Sequence, residues 1–210
     1  MRQHNRQRGF SLLELLIVIM MALIIAGFAV PAFLQTLRNF RIMGDVRDIN
    51  GEILLAKMRA AANFTWARVY FDFDNRTFVS QMWDKTAGDW VNVNVGGPQN
   101  LATGVSFGVG DQTVGPNAED LIAVPQAPPC QQGDAGPPQS PGGGGDEAGN
   151  SACIMFNSRG FPVDDAGTAT TADAIYISDG GQVHGATVSI TGLTRTWRAD
   201  NGIPDVWTRH

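Results

Sequence analysis

Residues 9–34 read GFSLLELLIVIMMALIIAGFAVPAFL, and this stretch decides the fold. From Leu12 to Leu34 it is apolar almost without interruption. As a helix rising 1.5 Å per residue, a run of this length crosses a hydrocarbon layer about 30 Å thick. The residues before it, MRQHNRQR, carry Arg2, Arg6 and Arg8 and no acid. Positive charge ahead of the span and a large polar portion after it predict a cytoplasmic N-terminus and a translocated C-terminal domain. An ordinary secretory signal has a shorter apolar region, about 7–15 residues, and a small-x-small exit. Residues 35–59 offer no such exit and remain compatible with helix.

Two residues interrupt the run, Glu14 and Pro31. Ser11-Leu12-Leu13-Glu14 has the S-x-x-E spacing of a capping box, in which the acid satisfies backbone N–H groups at the helix start. A carboxylate at the edge of a bilayer also seeks a cationic partner. Cleavage after Gly9 would create one, the new α-amino group of Phe10, available to the Glu14 of a neighbouring subunit. Pro31 reads either as a tolerated membrane-helix proline or as a bend.

Gly9-Phe10-Ser11-Leu12-Leu13-Glu14-Leu15, behind a basic leader and ahead of an apolar run, resembles the prepilin processing motif of type IV pilins and type II secretion pseudopilins. The resemblance implies that a prepilin peptidase cuts between Gly9 and Phe10 and methylates the new N-terminal Phe10. It implies an assembly role for Glu14, the fifth mature residue, and a kink at Pro31. The implied partners are the peptidase/methyltransferase, other pilins or pseudopilins met through the N-terminal helix, and the inner membrane; no cofactor is implied. The implied fold is α+β, a long N-terminal helix packed on an antiparallel β-sheet domain. The organisation that follows is a leader over 1–9, a transmembrane and assembly helix over 10–34, its amphipathic continuation over 35–64, and a periplasmic β-rich domain over 65–210.

The rest of the chain fits that frame. Leu37, Phe40, Ile42, Val46, Ile49, Ile53, Leu54, Met58 and Ala61 fall near helical spacing, with charges between them, so one helix is expected from about Ser11 to about Ala62. Beyond Trp66 the pattern alternates. Residues 67–73 and 77–83 read as strands joined by the turn Asp74-Asn75-Arg76, with shorter strands at 90–93 and 105–109. Residues 121–124, 152–156, 173–178, 183–190 and 192–198 complete a set that predicts one antiparallel sheet with a face against the helix. Residues 125–151 are too rich in proline and glycine to hold a regular element, and read as an exposed loop. Cys130 and Cys153 bracket it. In an oxidising compartment a disulfide would staple the loop for about 3 kcal/mol; two free thiols are the other reading.

Within 152–198, a strand, the segment Asn157-Ser158-Arg159-Gly160-Phe161-Pro162, a hairpin and Gly192-Leu193-Thr194-Arg195-Thr196-Trp197-Arg198 resemble the GspH/FimT-type minor pilin domain. Leu193 stands where that type shows the first arginine of Gly-Arg-x-Arg, a departure from its pattern. Arg195, Trp197 and Arg198 combine charge with an aromatic ring, as single-strand binders do. Alternation places Arg195 and Trp197 on one face and Arg198 on the other, and the expectation is a solvated strand with Trp197 packed on the core. With the leader removed the chain keeps 12 basic residues against 20 acidic ones, a net charge of −8. That balance weighs against nucleic acid as a partner. The histidines, His4, His184 and His210, are scattered, and the cysteines lack metal-ligand spacing. Asp72/Asp74 and Asp164/Asp165 read as turn acids rather than a calcium loop. No catalytic constellation and no metal site are expected. The functional class is therefore a non-catalytic filament subunit, a minor pseudopilin or minor pilin, with DNA capture as the alternative and a major pilin as a third reading.

Overall fold

The computed structural model describes residues 11–93, 96–116, 125–133, 146–170, 172–203 and 205–209. One helix, α1, spans Leu12–Ala62 and contains Pro31. Among the described residues it is followed by eleven strands: β1 (Ala67–Asp72), β2 (Thr77–Asp84), β3 (Asp89–Asn92), β4 (Gln99–Asn100), β5 (Ser106–Phe107), β6 (Ser151–Phe156), β7 (Pro162–Val163), β8 (Ala172–Ser178), β9 (Gln182–Ser189), β10 (Thr194–Asp200) and β11 (Thr208–Arg209). The chain forms two compact units, residues 1–40 and 41–210.

In the first unit every large apolar residue from Leu12 to Leu34 is exposed. By length and composition this part of α1 is apolar enough to cross a membrane. Proline has no N–H to give the helix ladder and crowds the carbonyl four residues back, yet α1 runs through Pro31 without a break.

In the second unit α1 buries Ile42, Val46, Ile49, Ile53, Ala56 and Ala60, all but Val46 at 0% exposure. Their alternating four- and three-residue spacing draws a narrow stripe along one helix face. The expected apolar set is corrected here. Phe40 and Met58 are 66% exposed and Leu54 40%, while Ala56 and Ala60, not among it, are fully buried. Ala56 and Ala60 continue the stripe at its own spacing, whereas Met58 falls on the opposite side of the helix. Helix 41–62 ends at Asn63, whose Nδ2 bonds the Arg59 carbonyl, and Phe64 turns the chain with φ 50°.

Two antiparallel sheets, not one, pack on this helix. The first runs β3-β2-β1-β6-β7, with β4 also on β2; the second runs β11-β10-β9-β8-β5. One continuous core joins the helix stripe to Val69, Phe71, Phe78, Ile154 and Phe156 of the first sheet and Ile175, Ile177, Ala186 and Val188 of the second. The long-range pairing of β1 with β6 divides the meander, because it gives β1 two neighbours far apart in sequence. The region 105–109 contributes only the two-residue β5, and the strand expected at 121–124 lies outside the described residues.

Two acids on α1 tie the helix to the segment around β4. Asp45 Oδ2 accepts the Ala102 N–H at 2.9 Å, and Glu52 accepts from Gln99 Nε2 at 2.8 Å and from the Ser80 hydroxyl. Burial raises the Asp45 carboxyl above the usual carboxylate range.

Truncating Ile53, at 0% exposure, to alanine is expected to cost about 3 kcal/mol of unfolding free energy. Met58→Ala should change it by less than about 0.5 kcal/mol. Urea unfolding of both variants checks the pair, and equal losses would mean that the stripe is wrongly placed.

Candidate functional site

Three places collect the residues singled out above: the start of α1, the outer face of the first sheet, and the outer face of the second. Ser11 is the N-cap of α1. Its Oγ accepts the Leu13 N–H at 3.2 Å and its carbonyl accepts the Leu15 N–H at 3.1 Å. The cap bond therefore reaches the second helical residue, where the capping-box pattern directs it to the third, Glu14. Glu14 sits in the first turn with an exposed side chain, where negative charge is favoured by the helix dipole. Gly9 and Phe10 lie outside the described residues.

On the first sheet, the face turned away from the helix carries Arg68, Tyr70, Trp83, Trp90, Cys153 and Met155, with Val163 beside them. Cys130 and Cys153 are joined in a disulfide, and both are buried. The bond fastens part of the proline- and glycine-rich loop over this face. Backbone bonds extend the contact: Cys153 donates to the Pro128 carbonyl and Ala148 to the Cys130 carbonyl. Tyr70 Oη donates to the Ala148 carbonyl. Arg68 is 4% exposed; its guanidinium lies 4.1 Å from the Trp90 ring centroid and donates to Gln81 Oε1 and to the Gln131 carbonyl. Burial brings the Arg68 side chain down to about 9, so it remains a cation at neutral pH. Sequence reading missed this buried cation, because an arginine in an alternating strand reads as solvent-facing. The described ends of the loop are a covering of the sheet, not a free excursion.

On the second sheet, directly opposed residues share a face. Ala186 and Val188 face the core, so their neighbours on β10, Thr196 and Thr194, do too, and Arg198, opposite His184, joins them. Arg195 and Trp197 lie opposite Thr187 and Gly185 on the outer face. The expectation that Trp197 packs on the core is overturned. The residue is part-exposed, and its Nε1 donates to Thr187 Oγ1 at 3.0 Å on the side away from the helix. Arg198 pairs with Asp200 at 3.0 Å, while Arg209 stands opposite Trp197. The structure thus separates Arg195 from Arg198 and brings Arg195, Trp197 and Arg209 together.

Asp72 and Asp164 hold local turns, and Asp74 ties its turn to the end of the proline- and glycine-rich loop. Asp72 accepts from Asn75, Asp74 from Asn150 Nδ2, and Asp164 from the Thr168 N–H. Among the described residues no group of three metal-ligating side chains occurs. His184 is buried in β9, and His4 and His210 lie outside the described residues. Asp173, at the start of β8, is 5% exposed, and burial raises its carboxyl to about 6, with the charge of Asp164 acting in the same sense.

The chain matches the prokaryotic N-terminal methylation motif over residues 4–30. No curated protein and no solved structure matches it. The motif supports a type IV pilin-like protein, indicates processing by a prepilin peptidase and implies assembly with other pilins. Together with the apolar first part of α1 it fits membrane anchoring.

A carboxyl raised by folding favours the fold when protonated. Its stabilising effect is complete below the unfolded value of about 3.9 and disappears as pH rises through about 6. Asp173→Asn is accordingly expected to raise stability at pH 7, and to flatten the stability profile between about pH 4 and 6. Thermal melts across that range decide it; a variant less stable than the parent at pH 7 contradicts the burial argument.

Proposed function

We propose that the chain is a non-catalytic filament subunit, a minor pseudopilin of a type II secretion system or a minor type IV pilin. The observation that carries this reading is the joining of two environments in one helix. Within the methylation motif the helix starts on the Ser11 cap and Glu14 and presents apolar residues that stay exposed as far as Leu34; farther along, the same helix offers a stripe buried under two sheets. The exposed part suits a bilayer before assembly and neighbouring helices afterwards. Cleavage after Gly9 would free the Phe10 amine, and Glu14, otherwise costly in an apolar setting, would gain a cationic partner on an adjacent subunit. A bend at Pro31 belongs to the same reading, since proline is the usual cause of a kink within an apolar helix.

The subunit would sit in the inner membrane with a single pass, its N-terminus cytoplasmic and its β-domain periplasmic. The Cys130–Cys153 bond supports an oxidising compartment for that domain. DNA capture is not adopted. Arg195 and Arg198 occupy opposite faces, Arg198 is paired with Asp200, and the chain without its leader has a net charge of −8.

Co-expression with a prepilin peptidase should shorten the chain by residues 1–9, as intact mass will read, and Gly9→Ala should abolish the shift. Glu14→Ala should still be cut yet fail to enter sheared filaments; normal incorporation of that variant would remove Glu14 from assembly. Deleting the chain in its host separates the machines. Loss of secreted enzymes with pili intact assigns it to secretion, and loss of pili assigns it to a pilus. Loss of DNA uptake alone would restore the DNA reading.

A further inference from the structure

The outer face of the second sheet carries more aromatic surface than filament assembly explains. Trp207 lies over Gly185: a Cβ there would stand 3.7 Å from Trp207 Cζ3 and 2.9 Å from the Tyr176 ring. The missing side chain lets the two rings settle on the strand, with centroids 5.6 Å apart. Trp197 stands opposite Gly185 on β10, on the same face, and its Nε1–H reaches along to Thr187. Gly185 and Thr187 are alternate residues of β9, so the Trp207 ring and the Trp197 N–H meet that strand at positions about 7 Å apart.

Each indole N–H is already engaged, Trp197 with Thr187 and Trp207 with the Val114 carbonyl at 2.9 Å. What the rings have left to offer is their π-faces, and both residues are part-exposed. The outer rim adds a donor, Arg209, opposite Trp197. The tail that holds Trp207 is itself fastened. Asp205 accepts from the Thr113 N–H, the Thr113 hydroxyl and the Val114 N–H, and donates its own N–H to Gln112 Oε1 at 2.6 Å. The platform is thus fixed before any ligand arrives, which lowers the entropic cost of binding.

We propose that this face binds a neutral polysaccharide strand of β-linked pyranose rings. The C–H face of a pyranose is weakly positive and flat, and stacks on the negative face of an indole. Ring hydroxyls accept from the Arg209 guanidinium at the rim. A single-stranded nucleic acid would use the same rings, but brings one negative charge per nucleotide to a chain of net −8 without its leader. The neutral polymer is therefore the occupant that the charge balance favours. The site does not require the filament reading to hold.

The full chain in a sugar-free detergent, titrated with cellohexaose and chitohexaose by calorimetry and tryptophan fluorescence, tests this. Binding of one of them is expected, with quenched emission, and Trp197→Ala should weaken it by about tenfold or more. Arg209→Ala should weaken it less. Trp207→Ala is expected to act like Trp197→Ala. Because Trp207 also packs on Tyr176, the part-exposed Trp197 is the deciding position, with a thermal melt confirming that its variant is folded. No binding of either hexasaccharide by the parent chain at about 5 mM overturns the site, as does unchanged binding by folded Trp197→Ala. Tighter, salt-dependent binding of a thymidine dodecamer on the same residues would assign the face to nucleic acid instead, and equally overturns it.

Discussion

The stripe Ile42, Val46, Ile49, Ile53, Ala56 and Ala60 is the constraint on which the second unit depends. Neither sheet can bury its inner face without it. Valine, isoleucine and phenylalanine from β1, β2 and β6 meet the helix from one sheet, and isoleucine, alanine and valine from β8 and β9 from the other. Burial of apolar side chains is the dominant favourable term in folding, worth about 1.5–3 kcal/mol for each large one fully removed from water. A break in this stripe would uncover both sheets together, and the two acids that moor the β4 segment, Asp45 and Glu52, flank it on the same helix.

The same helix is under a different demand in the first unit. There the apolar residues face outward all round, a pattern that water does not tolerate over such a length and that a bilayer requires. Glu14 belongs to the polar boundary of that segment, not to its interior, and Ser11 ends the ladder just before it. One continuous element thus obeys two solvents in turn. The change of composition after Leu34, where arginines and aspartates enter between the apolar positions, is the chemical record of the transition.

Much of this was legible because it is local. A single apolar run, an N-cap serine, a helical period and hairpins closed by Asp-Asn-Arg or Asp-Gly-Gly depend on residues close in sequence, and the helix and the β1–β2 and β8–β9 hairpins follow from them. Features set by distant partners were hidden. The pairing of β1 with β6 divides one expected sheet into two, and nothing near either strand announces the other. Arg68 is buried because a loop some sixty residues later lays a carbonyl on it, and Trp90 supplies a ring from the neighbouring hairpin. Leu54 is exposed and Ala56 buried because position on the helix face, not hydrophobicity, decides which residue meets the core.

The outer faces of the two sheets show how one fold treats similar chemistry in opposite ways. Each carries tryptophans and arginine on alternating strand positions, so periodicity alone cannot tell them apart. On the first sheet a disulfide holds a loop over the rings, and the arginine is desolvated, stacked on Trp90 and given carbonyl and amide acceptors. A buried cation without those acceptors would be costly, so covering and satisfaction must arise together. On the second sheet the tail folds back only far enough to lay Trp207 on Gly185, and Trp197 and Arg209 stay at the surface. The first face has spent its aromatic surface on stability. The second retains it at the surface, in a place rigid enough to recognise a ligand.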